Sequence, residues 1–266
     1  MQVFRFELKA LGWFTLLWSF GLAALTALYI SVYPSFSLEA NQLQKVFESL
    51  PPALRSGMSL DPTLMVSFLG FFTNVVHFVI LGAGIMASIM GFQVFSRERR
   101  ARTTDFLLSK PILRQSVFVQ KYLAGIVQLA ITTLVFGVVA YTVAKLVHAG
   151  DVDMAVFGRI DATFGFVQLW FFTVASMLAI VLRPRRSPSG PGLVLAAGLF
   201  LVGMVGGMID AATVRWVSPF KYIDLAYVLQ HRAFEVPYIW YGLLWVMVCF
   251  VVAGFVWTRR DIRAED

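Results

Sequence analysis

Residues 96–121 read SRERRARTTDFLLSKPILRQSVFVQK. Arg and Lys dominate the stretch, and one apolar patch, Phe106-Leu107-Leu108, interrupts them before Pro111. On either side the charges stop. Leu64–Ser96 precedes it and Tyr122–Ala144 follows it, each without a single charged residue. A helix needs ~20 predominantly apolar residues to cross ~30 Å of hydrocarbon, and both runs are long enough. The basic stretch is therefore a connection between two membrane helices, emerging at a membrane face.

Four more charge-free runs complete the pattern: Ala10–Leu38, Ala162–Leu182, Ser187–Ile209 and Val236–Thr258. Transmembrane β-strands would read as ~10-residue alternating segments, and no such alternation occurs. The composition agrees, with 59% hydrophobic and 14% charged residues. Soluble domains carry about 25% charged residues. The expected fold is an all-α membrane protein of six transmembrane helices, forming one domain over residues 1–266.

Charge placement sets the orientation. With both termini and the even-numbered connections on the cytoplasmic side, that side holds fifteen of the 22 Lys and Arg residues and the other side seven. The positive-inside rule then places both termini in the cytoplasm. The net charge of +7 reads as topology and contact with anionic headgroups. A nucleic-acid binder would gather its basic residues on a soluble domain, and none is legible. The first apolar run outlasts a 7–15-residue signal-peptide core and has no A-x-A-like cleavage site after it, so it reads as an uncleaved span. The residues before it suit either an interfacial helix or the start of that span. Cys249 is the sole cysteine and forms no intrachain disulfide.

The outer connection 34–63 carries Leu38, Leu43, Val46, Phe47 and Leu50 at helical spacing, an amphipathic helix that ends before Pro51-Pro52. The connection after the fifth span contains Ser218-Pro219-Phe220. The inner connection 183–190 is a tight basic turn. No GxxxxGK[ST] phosphate loop occurs, so an ATP-driven process needs another polypeptide for hydrolysis.

Within 96–121, Glu98 and Arg102 are spaced for a helical ion pair. Thr103 or Thr104 can cap a new short helix, with Asp105 in its first turn. Pro111 disfavours helix at Lys110 and suits the opening of the next one. The expected element is an extension of span two, a short helix, then a helix into span three. Phe106, Leu107 and Leu108 cannot all face the bundle, so an apolar knob ringed by Arg and Lys projects, as a helix-in-groove contact requires. The other reading is that these side chains dip into the headgroups.

The order Glu98, Thr103, Asp105, Leu107-Leu108, Pro111, Arg114, Lys121 resembles the permeases of ABC-2 type transporters. The Ser-Pro-Phe cluster is similar to theirs as well. Arg102 departs from the pattern, where family members commonly place Gly before the Thr. That resemblance implies that the coupling segment docks on a separate ABC ATPase subunit through Glu98, Thr103, Asp105, Phe106, Leu107, Leu108, Pro111 and Arg114. It implies a permease without enzymatic activity or a cofactor of its own, with ATP bound by the partner. A second permease subunit, homo- or heterodimeric, would complete the path in the cell membrane, with export as the direction.

The spans read as free of deep charges. Lys145 and Asp210 fall at outer ends, where side chains reach the interface. Asn74 and His77 in span two, Gln128, Thr132 and Thr133 in span three, and Gln168 and Thr173 in span four are polar. Interhelical hydrogen bonds account for most such residues. Asn74 and His77 are also candidates to line a translocation path. Gly84, Ser88 and Gly91, and Gly203-x-x-x-Gly207, mark close helix approaches. The alternative functions are a non-transporting anchor that relays ATPase motion to an outer partner, and an intramembrane enzyme. The latter lacks HExxH, GxSxG or paired acids within a span.

Overall fold

The computed structural model describes residues 2–38, 46, 49–57, 67–101, 113–147, 152–182, 187–209 and 212–259, with the backbone alone at 36, 98–101 and 212. Among these residues all regular structure is helical. In chain order, α1 is Gln2–Ser31, α2 Tyr33–Leu38, α3 Pro52–Gly57, α4 Phe68–Ala101, α5 Arg114–Leu146, α6 Met154–Val181, α7 Ser189–Met208, α8 Leu225–His231 and α9 Val236–Arg259. Two short 3₁₀ turns, Ala212–Trp216 and Pro219–Lys221, precede α8. Six helices, α1, α4, α5, α6, α7 and α9, are long and apolar enough to cross a membrane. They coincide with the six runs read from the sequence.

Several boundaries move outward. α1 begins at Gln2 and continues unbroken, so residues 2–10 are the start of the first span and not a separate interfacial helix. α4 carries its helix through the basic Arg97–Arg100 run to Ala101, as the charge spacing predicts. α6 starts eight residues before the apolar run, because Asp153 caps it by accepting from the backbone N–H groups of Ala155 and Val156. Those bonds hold the Asp153 carboxyl below the usual carboxylate range. The predicted outer amphipathic helix lies mostly outside the described residues.

α4 and α6 form the centre of the bundle. About 72% and 67% of their apolar windows are buried, against 22% and 17% for α7 and α9, whose outer faces are left for lipid or another chain. α4 packs along α6 and α7, and α1 along α5. In lipid such contacts rest on van der Waals packing and small residues, not on the exclusion of water. Gly91 is the tightest case on α4: a Cβ there would lie 2.6 Å from the Phe172 carbonyl oxygen of α6. Gly203 of the GxxxG pair instead faces the connection after α7, where Ser218 donates to the Leu199 carbonyl at 2.9 Å. Aromatic rings fill the core, with Phe136 stacked on Phe164 at 4.2 Å and Phe72 on Phe157 at 5.2 Å.

The polar residues of the spans form the interhelical bonds that their positions suggest. Gln128 donates to the Leu8 carbonyl at 2.9 Å and Ser19 to Thr132 at 3.0 Å, tying α1 to α5. Thr133 donates to Gln168 at 3.0 Å, and Tyr122 bonds Thr173, tying α5 to α6.

The helices run past the charge-free runs and take in three charged residues that the sequence leaves outside them. Glu7 of α1 and Lys121 of α5 are fully buried, and Asp161 stands seven residues inside α6. The reason is common to all three. Each lies within three residues of the end of an apolar run, and helical extension past that end carries it into the bundle.

Candidate functional site

The two ends of the segment 102–112 are the C-terminus of α4 and the N-terminus of α5, and the bundle secures both with the same side chain. Glu7 enters between them from α1. Its Oε1 accepts from Lys121 Nζ at 2.6 Å and its Oε2 from Arg97 Nη1 at 2.9 Å. Lys121 Nζ also donates to the Val94 carbonyl at 2.9 Å, so one ammonium ties α5 to both α1 and α4. Neither Glu7 nor Lys121 is exposed, while Arg97 keeps about a fifth of its side chain accessible.

Desolvating an ion pair is compensated only when geometry is good and remaining donors find acceptors. Glu7 meets that condition through two charged donors, one to each oxygen. The backbone supports the same junction. Gln120 accepts from the Phe4 N–H at 3.3 Å, and Trp257 of α9 donates its indole N–H to the Arg114 carbonyl at 3.1 Å. Phe95 packs between Phe118 and Trp257 at 5.5 and 5.7 Å. The start of α5 is thus held by α1, α4 and α9 together.

Of the docking residues named from sequence, Arg114 is described, as the first residue of α5. Glu98 lies on the helical backbone of α4 with its side chain outside the described residues. Thr103, Asp105, Phe106, Leu107, Leu108 and Pro111 fall outside the described residues entirely. Asn74 and His77 sit together on α4, half-buried. Asn74 Nδ2 donates to the Gly70 carbonyl of its own helix at 2.9 Å, and the His77 ring lies 5.8 Å from Phe200 of α7.

At the opposite end of the bundle the connection after α7 folds back among the helices. Phe220 of the Ser-Pro-Phe cluster packs on Phe171 and Phe200 at 5.0 and 5.4 Å. Tyr222 is buried and donates to the Trp216 carbonyl at 3.1 Å. Arg215 pairs with Glu235 and lies over the Tyr238 ring at 3.8 Å. Burial pushes the Tyr222 hydroxyl pKa up and the Lys221 ammonium pKa down.

Six apolar helices with a charged clasp at one end of the bundle define a multi-pass membrane protein whose second and third spans are fastened where a long polar connection leaves them. The sequence matches the family model of the ABC-2 family transporter proteins over residues 12–262, nearly its whole length. The chain belongs to that family and is a membrane permease component of an ABC transporter. No curated protein matches it.

Proposed function

We propose that this chain is the permease subunit of an ABC exporter in the plasma or inner membrane, driven by a separate ATPase subunit that docks beneath residues 96–121. The clasp of Glu7 with Arg97 and Lys121 supports this reading most strongly. A lever transmits force only if its attachment points move with the load. Both ends of the segment 102–112 are fixed to α1, α4 and α5, so a push on that segment displaces three spans as a unit. Nucleotide binds the partner ATPase, and both termini face the cytoplasm in line with the distribution of basic residues.

A second permease subunit, of this or a related sequence, packs on the outer faces of the bundle, and the path opens between the two. Asn74 and His77 ride on α4, the same helix that leads into the lever. The test is reconstitution of the chain with its ATPase in liposomes. ATP hydrolysis coupled to movement of a solute out of the ATPase-facing compartment is the expected result. Hydrolysis that moves nothing, while an outer protein responds, would replace the permease with a relay.

A further inference from the structure

Between α5 and α6 lies a groove of about 610 Å³ that the clasp does not involve. That volume is within the ~300–1,000 Å³ typical of small-molecule sites. Its walls are mostly apolar, with Leu134, Val138, Phe157 and Leu169 among them. Leu134 and Val138 on its rim are exposed on the outside of the bundle, so the groove opens sideways towards lipid.

One carboxylate stands in it. Asp161 lines the groove, and its Oδ1 is shut off from solvent without a hydrogen-bond donor among the described residues. The chain makes room for the group: a Cβ at Gly137 would lie 2.9 Å from Oδ1. Arg159, two positions before Asp161 on α6 and so on another face of the helix, has a buried Nη1 without a hydrogen-bond partner among the described residues, and the other basic groups towards this end have contacts of their own. Lys145 lies over the Tyr141 ring at 5.8 Å, and Arg232 pairs with Asp153 at 3.4 Å. An ionisable group inside a span is costly and marks a functional position by default. Leaving a buried acceptor unsatisfied adds a further penalty.

We propose that this groove is a binding site for a single-chain amphiphile with a protonated amine, entering from the bilayer. Its ammonium group donates to Asp161, and its aliphatic chain lies along Leu134 and Val138. Charge complementarity selects the head group, and the apolar walls select the tail. α6 has 28 residues, about 42 Å of helix against the ~40–45 Å of a bilayer with its head groups. Asp161, seven residues or about 10 Å in from Met154, therefore comes just inside the hydrocarbon, below the phospholipid head groups. A free alkylamine reaches that depth and an aminophospholipid head does not. The site does not depend on the ligand being transported.

Octylamine, octanol and octanoate are titrated against the purified full-length chain in nanodiscs of phosphatidylcholine. Octylamine is expected to saturate one site per chain, with octanol and octanoate competing at least tenfold more weakly. Asp161→Asn should weaken octylamine at least tenfold, and Asp161→Glu should retain binding. Gly158 lines the groove with nothing within 4 Å of a Cβ there, so Gly158→Leu extends a side chain into it from an open position. That variant should lose the site with a melting temperature no lower than the wild type's, since Leu is a better helix former than Gly. Equal competition by octanol, unchanged binding in Asp161→Asn, or equal competition by phosphatidylethanolamine added to the discs would each overturn the proposal.

Discussion

Glu7 and Lys121 are 114 positions apart in the chain, yet their side chains meet at 2.6 Å and neither is exposed. The pair joins the first turns of α1 to the first turns of α5. Arg97 on the other Glu7 oxygen brings in the last turns of α4. Three helix ends are therefore fixed at the place where the segment 102–112 departs and returns.

The energetic consequence is asymmetric. Removing one partner of a buried pair leaves an uncompensated charge, at a cost of roughly 3–5 kcal/mol, whereas replacing the whole pair by apolar residues is often neutral. Glu7→Gln and Lys121→Met should each lower stability by that order in detergent unfolding experiments. Glu7→Met combined with Lys121→Met should recover much of the loss, less the part owed to Arg97. A double variant no more stable than the worse single one would show that the pair is not a coupled unit.

Helix approach gives a second prediction. A side chain at Gly91 meets the backbone of α6 at Phe172 and Ser176, and backbone cannot swing aside as a side-chain tip can. Gly91→Ala should destabilise by about 1–3 kcal/mol, the usual cost of overpacking. Gly21→Ala on α1 has open space around the added methyl and should be neutral or stabilising by up to about 1 kcal/mol, since Ala is the better helix former. Unfolding in the same detergent, with the two variants side by side, checks both signs.

Orientation is tested by labelling. Cys249 is 1% exposed, and its replacement by Ala gives a background without thiols. Cysteines placed singly at Ser49 and Ser187, both exposed, should react with an impermeant maleimide from opposite faces of the membrane, Ser49→Cys from outside and Ser187→Cys only after permeabilisation. Labelling of both from outside would break the proposed orientation.

The membrane fold was legible because, in a chain this apolar, a charge-free run of twenty or more residues can bury its surface in lipid and in little else. The ends of the runs were not legible. A span drawn as a charge-free run stops at the nearest charge by construction, so Asp161 fell one residue outside the predicted fourth span and Glu7 three residues outside the first. Whether such a residue reaches water or is drawn into the bundle depends on helix extension and on a partner distant in sequence. Asp153 capping α6 was a local signal that could have revealed the longer helix. Lys121 was legible as part of a motif, but its burial against Glu7 was not, since nothing local links positions 7 and 121. Thr133, Gln168 and Thr173 were legible as interhelical donors and acceptors because a polar group in a span has few alternatives. Asn74 and His77 carry the same composition signal whether they line a path or pack beside one.

The proposal that a separate ATPase docks on residues 96–121 is tested most directly by charging its apolar patch. Phe106→Asp and Leu107→Asp place a carboxylate where an apolar groove would receive the side chain. Burying it there costs several kcal/mol, and about 4 kcal/mol is a thousandfold in affinity. The measurement is co-purification of the ATPase subunit with each variant, alongside the melting temperature of the permease alone. Loss of the ATPase with an unchanged melting temperature is the predicted result, and undiminished co-purification with both variants would contradict it.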